Sequence, residues 1–187
     1  MTVTLPGERQ PEKTTKMEAA RRQLATAIAL WFNGGDTVSI YTLSHAAYEV
    51  IHNITRPDRT RDLLFDSLVI KDEFRKEFNE YLRSLANFFK HAQRGEKEDP
   101  VLEFYPEASE LFILFSLVGL SLVKIDLNDE ETAFLVWLML QQPRFLTENG
   151  RKLLSEHLPI EGIHRLRQLS RRKFFGVFMN ARRAIAC

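Results

Sequence analysis

Apolar residues recur at helical spacing through almost the whole chain, and no stretch between turn signals alternates with period two. This pattern predicts an all-α fold, a single helical bundle of about six to eight helices over residues 16–187, preceded by a flexible segment at 1–15. The first helix is expected over 16–33, with Leu24, Ala27, Ile28 and Trp31 on one face and Gly34-Gly35 as its stop. Asp36 or Ser39 then caps a second helix that ends near Ile54, because the residue before Pro57 is pushed out of helical backbone. A short helix at 61–69 leads into a long one at 71–93. The charged, proline-bounded stretch "RGEKEDPVLEFYP" reads as a loop. Pro106 suits the first turn of the next helix, which runs to Lys124 and is apolar nearly all round, so it is expected at the bundle centre. Helices at 129–142 and 147–157 and a basic helix at about 160–185 complete the expectation.

Composition narrows the possibilities further. Cys187 is the only cysteine, so neither an intramolecular disulfide nor a cysteine metal cage can form, which fits a reducing, cytoplasmic setting. The N-terminal residues contain no apolar core of signal-peptide length, and the most apolar run, Leu111 to Val123, is 13 residues against the roughly 20 that span a bilayer. No membrane association is expected. The net charge of +1 conceals an asymmetry: residues 95–131 hold ten acidic against two basic side chains, and 151–187 hold nine basic against two acidic. Pairing of these regions within the fold or a dimer is the first expectation, attraction of an acidic partner the second.

Two helices carry polar stripes beside apolar ones. On the helix at 71–93, Phe74, Phe78, Tyr81, Leu82, Leu85, Phe88, Phe89 and Ala92 form one broad face, expected as core. Glu80, Ser84, Asn87 and His91 form a separate stripe. Read functionally, His91 is a general acid or base, with Asn87 and Lys90 donating to an anionic substrate. The bland alternative makes His91 a helix C-terminal residue favoured by the macrodipole and Asn87 a cross-bundle hydrogen-bonding group. On the second helix, Leu43, Ala46, Ala47, Val50, Ile51 and Ile54 make the apolar face, and His45, Glu49 and His52 lie nearly opposite, where they can address one ligand. Glu49 to His52 and Glu161 to His164 also have the Glu-x-x-His spacing of di-metal bundles. No phosphate-binding glycine loop, nucleophile elbow or zinc-protease motif is present, and no cofactor is expected. The terminal "RLRQLSRRKFFGVFMNARRA" mixes bases with Phe174, Phe175 and Phe178; a packed helix with a solvated basic face is preferred over base stacking or lying on acidic lipid.

Arg21 to Ile54 and the segment "LANFFKHAQR", followed by an acidic loop and "PEASELFILFSLVGL", resemble a family of uncharacterised bacterial proteins with an Asn-Phe-Phe-Lys-His-Ala segment. The resemblance covers about residues 21–123. The arrangement is more distantly similar to HEPN helical bundles, many of them dimeric and nucleotide-binding or RNA-cleaving. Their motif is an Arg, often followed directly by Asn, with four to six residues between the Arg and a His. Asn87 and His91 match the Asn and His, whereas Ala86 stands in the place of the Arg and Arg83 is one residue too far. The resemblance therefore implies a homodimeric, non-catalytic module that binds a nucleotide, RNA or protein. A metal-independent ribonuclease with His91 as general acid or base, and Asn87, Lys90, His45 and Glu49 around the phosphate, is the second reading. A metal-dependent bundle enzyme is the third.

Overall fold

The computed structural model describes residues 11–55, 72–90, 100–142, 148 and 160–186. These form an all-α bundle of seven helices: α1 (Lys16–Asn33), α2 (Thr37–Thr55), α3 (Asp72–Lys90), α4 (Ala108–Leu122), α5 (Asp129–Gln141), α6 (Ile160–Gln168) and α7 (Arg171–Ala186). The described residues include no strand, and none of their helices is long and apolar enough to cross a membrane. The expected helices at 61–69 and 147–157 lie outside the described residues.

Local chemistry sets most helix ends. The Thr15 hydroxyl accepts from the Glu18 N–H while the Glu18 carboxylate accepts from the Thr15 N–H, a reciprocal cap that satisfies two orphan donors. Gly34 then takes φ 67° and ends α1 in a left-handed turn, with Gly35 N–H bonded back to Leu30 O at 2.8 Å. Asp36 caps α2 by accepting from Ser39 N–H at 2.7 Å. At α5, Asn128 and Glu131 repeat the reciprocal cap. The end of α4 uses the same left-handed geometry as α1 without a glycine: Lys124 sits at φ 59°, and Ile125 N–H reaches Leu120 O at 3.0 Å.

Helix α2 occupies the centre. It packs most extensively on α1 and then on α4, while α5 and α7 stack against each other and on α1. One buried cluster joins Leu24, Ile28, Trp31 and Phe32 of α1 to Ile51, Ile113, Phe134 and Phe174; a second, between α2, α3 and α4, holds Tyr41, Tyr48, Leu82, Leu85 and Phe112. The expectation that α4 is central needs correction, since Val118, Leu122 and Val123 are exposed while only its other side is buried. α2 takes that place because its circumference combines small residues with amphipathic rings that tolerate burial on both sides. The expected face of α3 also needs trimming. Leu82, Leu85 and Ala86 are buried, whereas Phe74 and Phe88 are exposed.

The basic C-terminal stretch is two helices, broken at Leu169-Ser170, where the Ser170 carbonyl accepts from Phe174 N–H at 2.9 Å. Phe174 is fully buried, and Phe175 stacks on Phe32 at 4.5 Å between centroids, so these rings belong to the core and are not available to stack bases. Two of the basic residues pair with the acidic region, Arg171 with Glu110 at 2.8 Å and Arg182 with Asp129 at 2.7 Å. The charge asymmetry of the sequence is thus partly spent inside the fold.

Candidate functional site

The candidate residues of α2 and α3 meet along one flank, but their environments differ sharply. His45 is only 2% exposed; its ring lies edge-on to Phe112 at 4.9 Å and parallel to Tyr41 at 6.1 Å. His52 is buried one heptad further on, stacked against Tyr48 at 5.5 Å. Tyr41, His45, Tyr48 and His52 thus form an i, i+4, i+7, i+11 stripe of amphipathic rings, and this stripe is the second buried face of α2. The reading of His45 and His52 as an outward trio with Glu49 is corrected accordingly. The Tyr41 hydroxyl donates to Leu82 O at 3.0 Å and ties α2 to α3, and burial pushes its ionisation well above the ordinary phenol range, with Tyr81 adding to the effect.

Glu49 is the half-exposed member at the rim. Its Oε2 lies 3.6 Å from His45 Nδ1 and 3.6 Å from Lys90 Nζ, so one carboxylate stands between the buried ring and the α3 cation. The His45 contact is an electrostatic one, just beyond hydrogen-bond distance, and Nδ1 accordingly has no hydrogen-bond partner among the described residues. Burial lowers the His45 pKa from 6.5; Glu49 opposes the shift and Lys90 reinforces it. The ring is therefore neutral at neutral pH and sealed from solvent, which unsuits it to proton exchange with a substrate. Asn87 is exposed on the same flank of α3. His91 lies outside the described residues.

The metal reading finds no support in this arrangement. Among the described residues no group of three or more His, Cys, Asp or Glu side chains is placed to share an ion. Glu161 and His164 are both exposed, and His164 Nε2 lies 3.3 Å from Gln168 Nε2.

A second polar cluster escaped the sequence reading. Glu110 of α4 accepts from Trp31 Nε1 at 3.1 Å and from Arg171 Nη2 at 2.8 Å, both on Oε1, and the Arg171 guanidinium sits 4.1 Å above the Trp31 ring. These three residues join α1, α4 and the start of α7 across a cavity of about 190 Å³. Burial raises the Glu110 pKa above 4.5; Arg171 and the indole N–H oppose it, and Glu107 adds to the rise. No local motif marks this cluster, because its members come from three distant parts of the chain. Compared with protein-family models, with curated proteins and with solved structures, the chain finds no match.

Proposed function

We propose that the chain is a non-catalytic, HEPN-like helical binding module whose ligand is RNA, held mainly through its phosphates. The observation that carries this reading is the basic face of α6 and α7. Arg165, Arg172, Lys173 and Arg183 are exposed and make no ion pair among the described residues, in contrast to Arg171 and Arg182. Arg172 and Arg183 are three turns apart on one stripe of α7, about 16 Å along the axis, so they suit successive points of an extended backbone. With the nearby phenylalanines packed inside, binding would rest on charge and carry little sequence preference. The absence of catalysis is supported by the sealed, neutral His45 ring, by a Lys90 already facing a carboxylate, and by Ala86 in the place of the motif's Arg. A homodimer belongs to the same reading, and the exposed apolar residues Val118 and Leu122 of α4 supply surface for it. Light scattering that finds only monomer at micromolar concentration removes that part.

The test is fluorescence anisotropy with a labelled single-stranded RNA, without metal ions. Four phosphate contacts give a log–log salt slope of about −3 for a single strand. Arg172→Glu with Arg183→Glu should weaken binding by at least roughly tenfold, and Lys90→Ala should leave it nearly unchanged. No binding at low salt refutes the RNA reading and leaves a protein partner. Cleavage of the RNA by the wild type, abolished by His91→Gln, would install the ribonuclease reading instead.

A further inference from the structure

A second cavity, of about 350 Å³, lies where α3, α4 and α5 diverge, since α4 packs chiefly on α2 and only lightly elsewhere. Its size is at the small end of the range, about 300–1,000 Å³, over which proteins hold small molecules. Leu111 and Leu114 of α4 and Leu138 of α5 supply its walls, with the rings of Tyr81 and Tyr105 completing a mainly apolar lining. The polar groups on that lining share one character. Glu107 is exposed and makes no ion pair among the described residues. Glu110 lines the same cavity, and because Trp31 and Arg171 both use Oε1, its Oε2 makes no hydrogen bond among the described residues. The Tyr81 hydroxyl lies behind this lining, buried and without a hydrogen-bond partner among the described residues. No cationic side chain lines the space among the described residues; the nearest described cation, Arg171, is held on Glu110 Oε1.

Apolar walls with two carboxylates, of which Glu107 is unpaired and Glu110 keeps Oε2 free beside its Arg171 pair among the described residues, favour a ligand that brings its own cation. We propose that this cavity binds a small amphipathic cation, a primary amine on an apolar tail or ring. The tail lies against Leu111, Leu114 and Leu138, and the ammonium donates to Glu107 and Glu110 Oε2. An anionic ligand of the same shape would meet the unpaired Glu107 carboxylate, and a neutral alcohol would bring one hydrogen-bond donor but no balancing charge. The site is independent of the basic face of α7 and stands or falls separately from RNA binding.

Isothermal titration of the whole chain with n-octylamine, n-octanol and octanoate tests it. Octylamine should bind with octanoate weaker by roughly tenfold or more, a difference of about 1.4 kcal/mol. Glu107→Gln should bring octylamine towards octanol, and Leu114→Trp, which fills the space, should remove binding of all three. Methyl NMR of the wild type gives a reading that needs no variant: octylamine should shift the methyl groups of Leu111, Leu114 and Leu138 before those of Leu24 or Leu85. Octanoate binding as tightly as octylamine, undiminished binding by a folded Leu114→Trp, or shifts confined to other leucines would each overturn the proposal.

Discussion

Glu110 holds the start of the basic helix against the bundle, and replacing it separates two contributions that act on the same atom. In Glu110→Ala the Trp31 indole N–H, on a residue only 2% exposed, loses its acceptor. An unsatisfied buried donor costs about 1–3 kcal/mol. The Arg171 ion pair is lost as well; with Arg171 45% exposed, water replaces much of that interaction and the loss is about 0–1 kcal/mol. The expected destabilisation is therefore about 1–4 kcal/mol. Glu110→Gln keeps an oxygen for the indole and removes a charge whose burial outweighs its partners, as the raised pKa records. Its expected cost at pH 7 is within about 1 kcal/mol of zero.

The pH dependence gives the sign independently. A carboxyl whose folded pKa lies above its unfolded value of 4.5 contributes stability that is complete below 4.5 and is lost as pH rises through the folded value. The difference between Glu110→Gln and wild type should therefore move in favour of the variant between pH 4.5 and 7. Urea titrations followed by tryptophan fluorescence measure this directly, with Trp31 itself as a reporter. If Glu110→Gln costs as much as Glu110→Ala at pH 7, and more there than at pH 4.5, the Arg171 pairing dominates and the account of burial is wrong.

Two further outcomes follow from the same reasoning. Lys124 holds a left-handed backbone at the end of α4, so Lys124→Gly should raise stability by about 0.5–1 kcal/mol; a loss in thermal denaturation would show that the lysine side chain contributes something the backbone argument omits. His45, whose neutral form is favoured in the fold, contributes stability that is complete above pH 6.5 and falls as pH drops from there towards the lowered folded pKa. His45→Phe keeps a ring against Phe112 and should flatten that part of the profile of melting temperature against pH; parallel profiles for variant and wild type would contradict the burial of His45.

What the sequence determined by itself was local: helical periodicity, the stop at Gly34-Gly35, a cap at Asp36 or Ser39, of which the structure chose Asp36, and the helix opening at Asp129. These depend on a few neighbouring residues whose spacing is visible along the chain. The reciprocal caps at Thr15–Glu18 and Asn128–Glu131 came from the structure, where the side chains are seen to close on the backbone. The charge asymmetry also carried real information, since Arg171 and Arg182 do pair with Glu110 and Asp129. Only the tertiary structure decided how many faces of each helix are covered. An angular stripe says which residues share a side of α2, and it does not say whether that side meets water or a third helix. Tyr41, His45, Tyr48 and His52 have apolar ring bodies and polar edges, so the same stripe is compatible with either, and packing against α3 and α4 chose burial. The Trp31–Glu110–Arg171 cluster was invisible for a related reason. Its members are 79 and 61 positions apart along the chain, and only the packing of α1, α4 and α7 brings one carboxylate within reach of both donors.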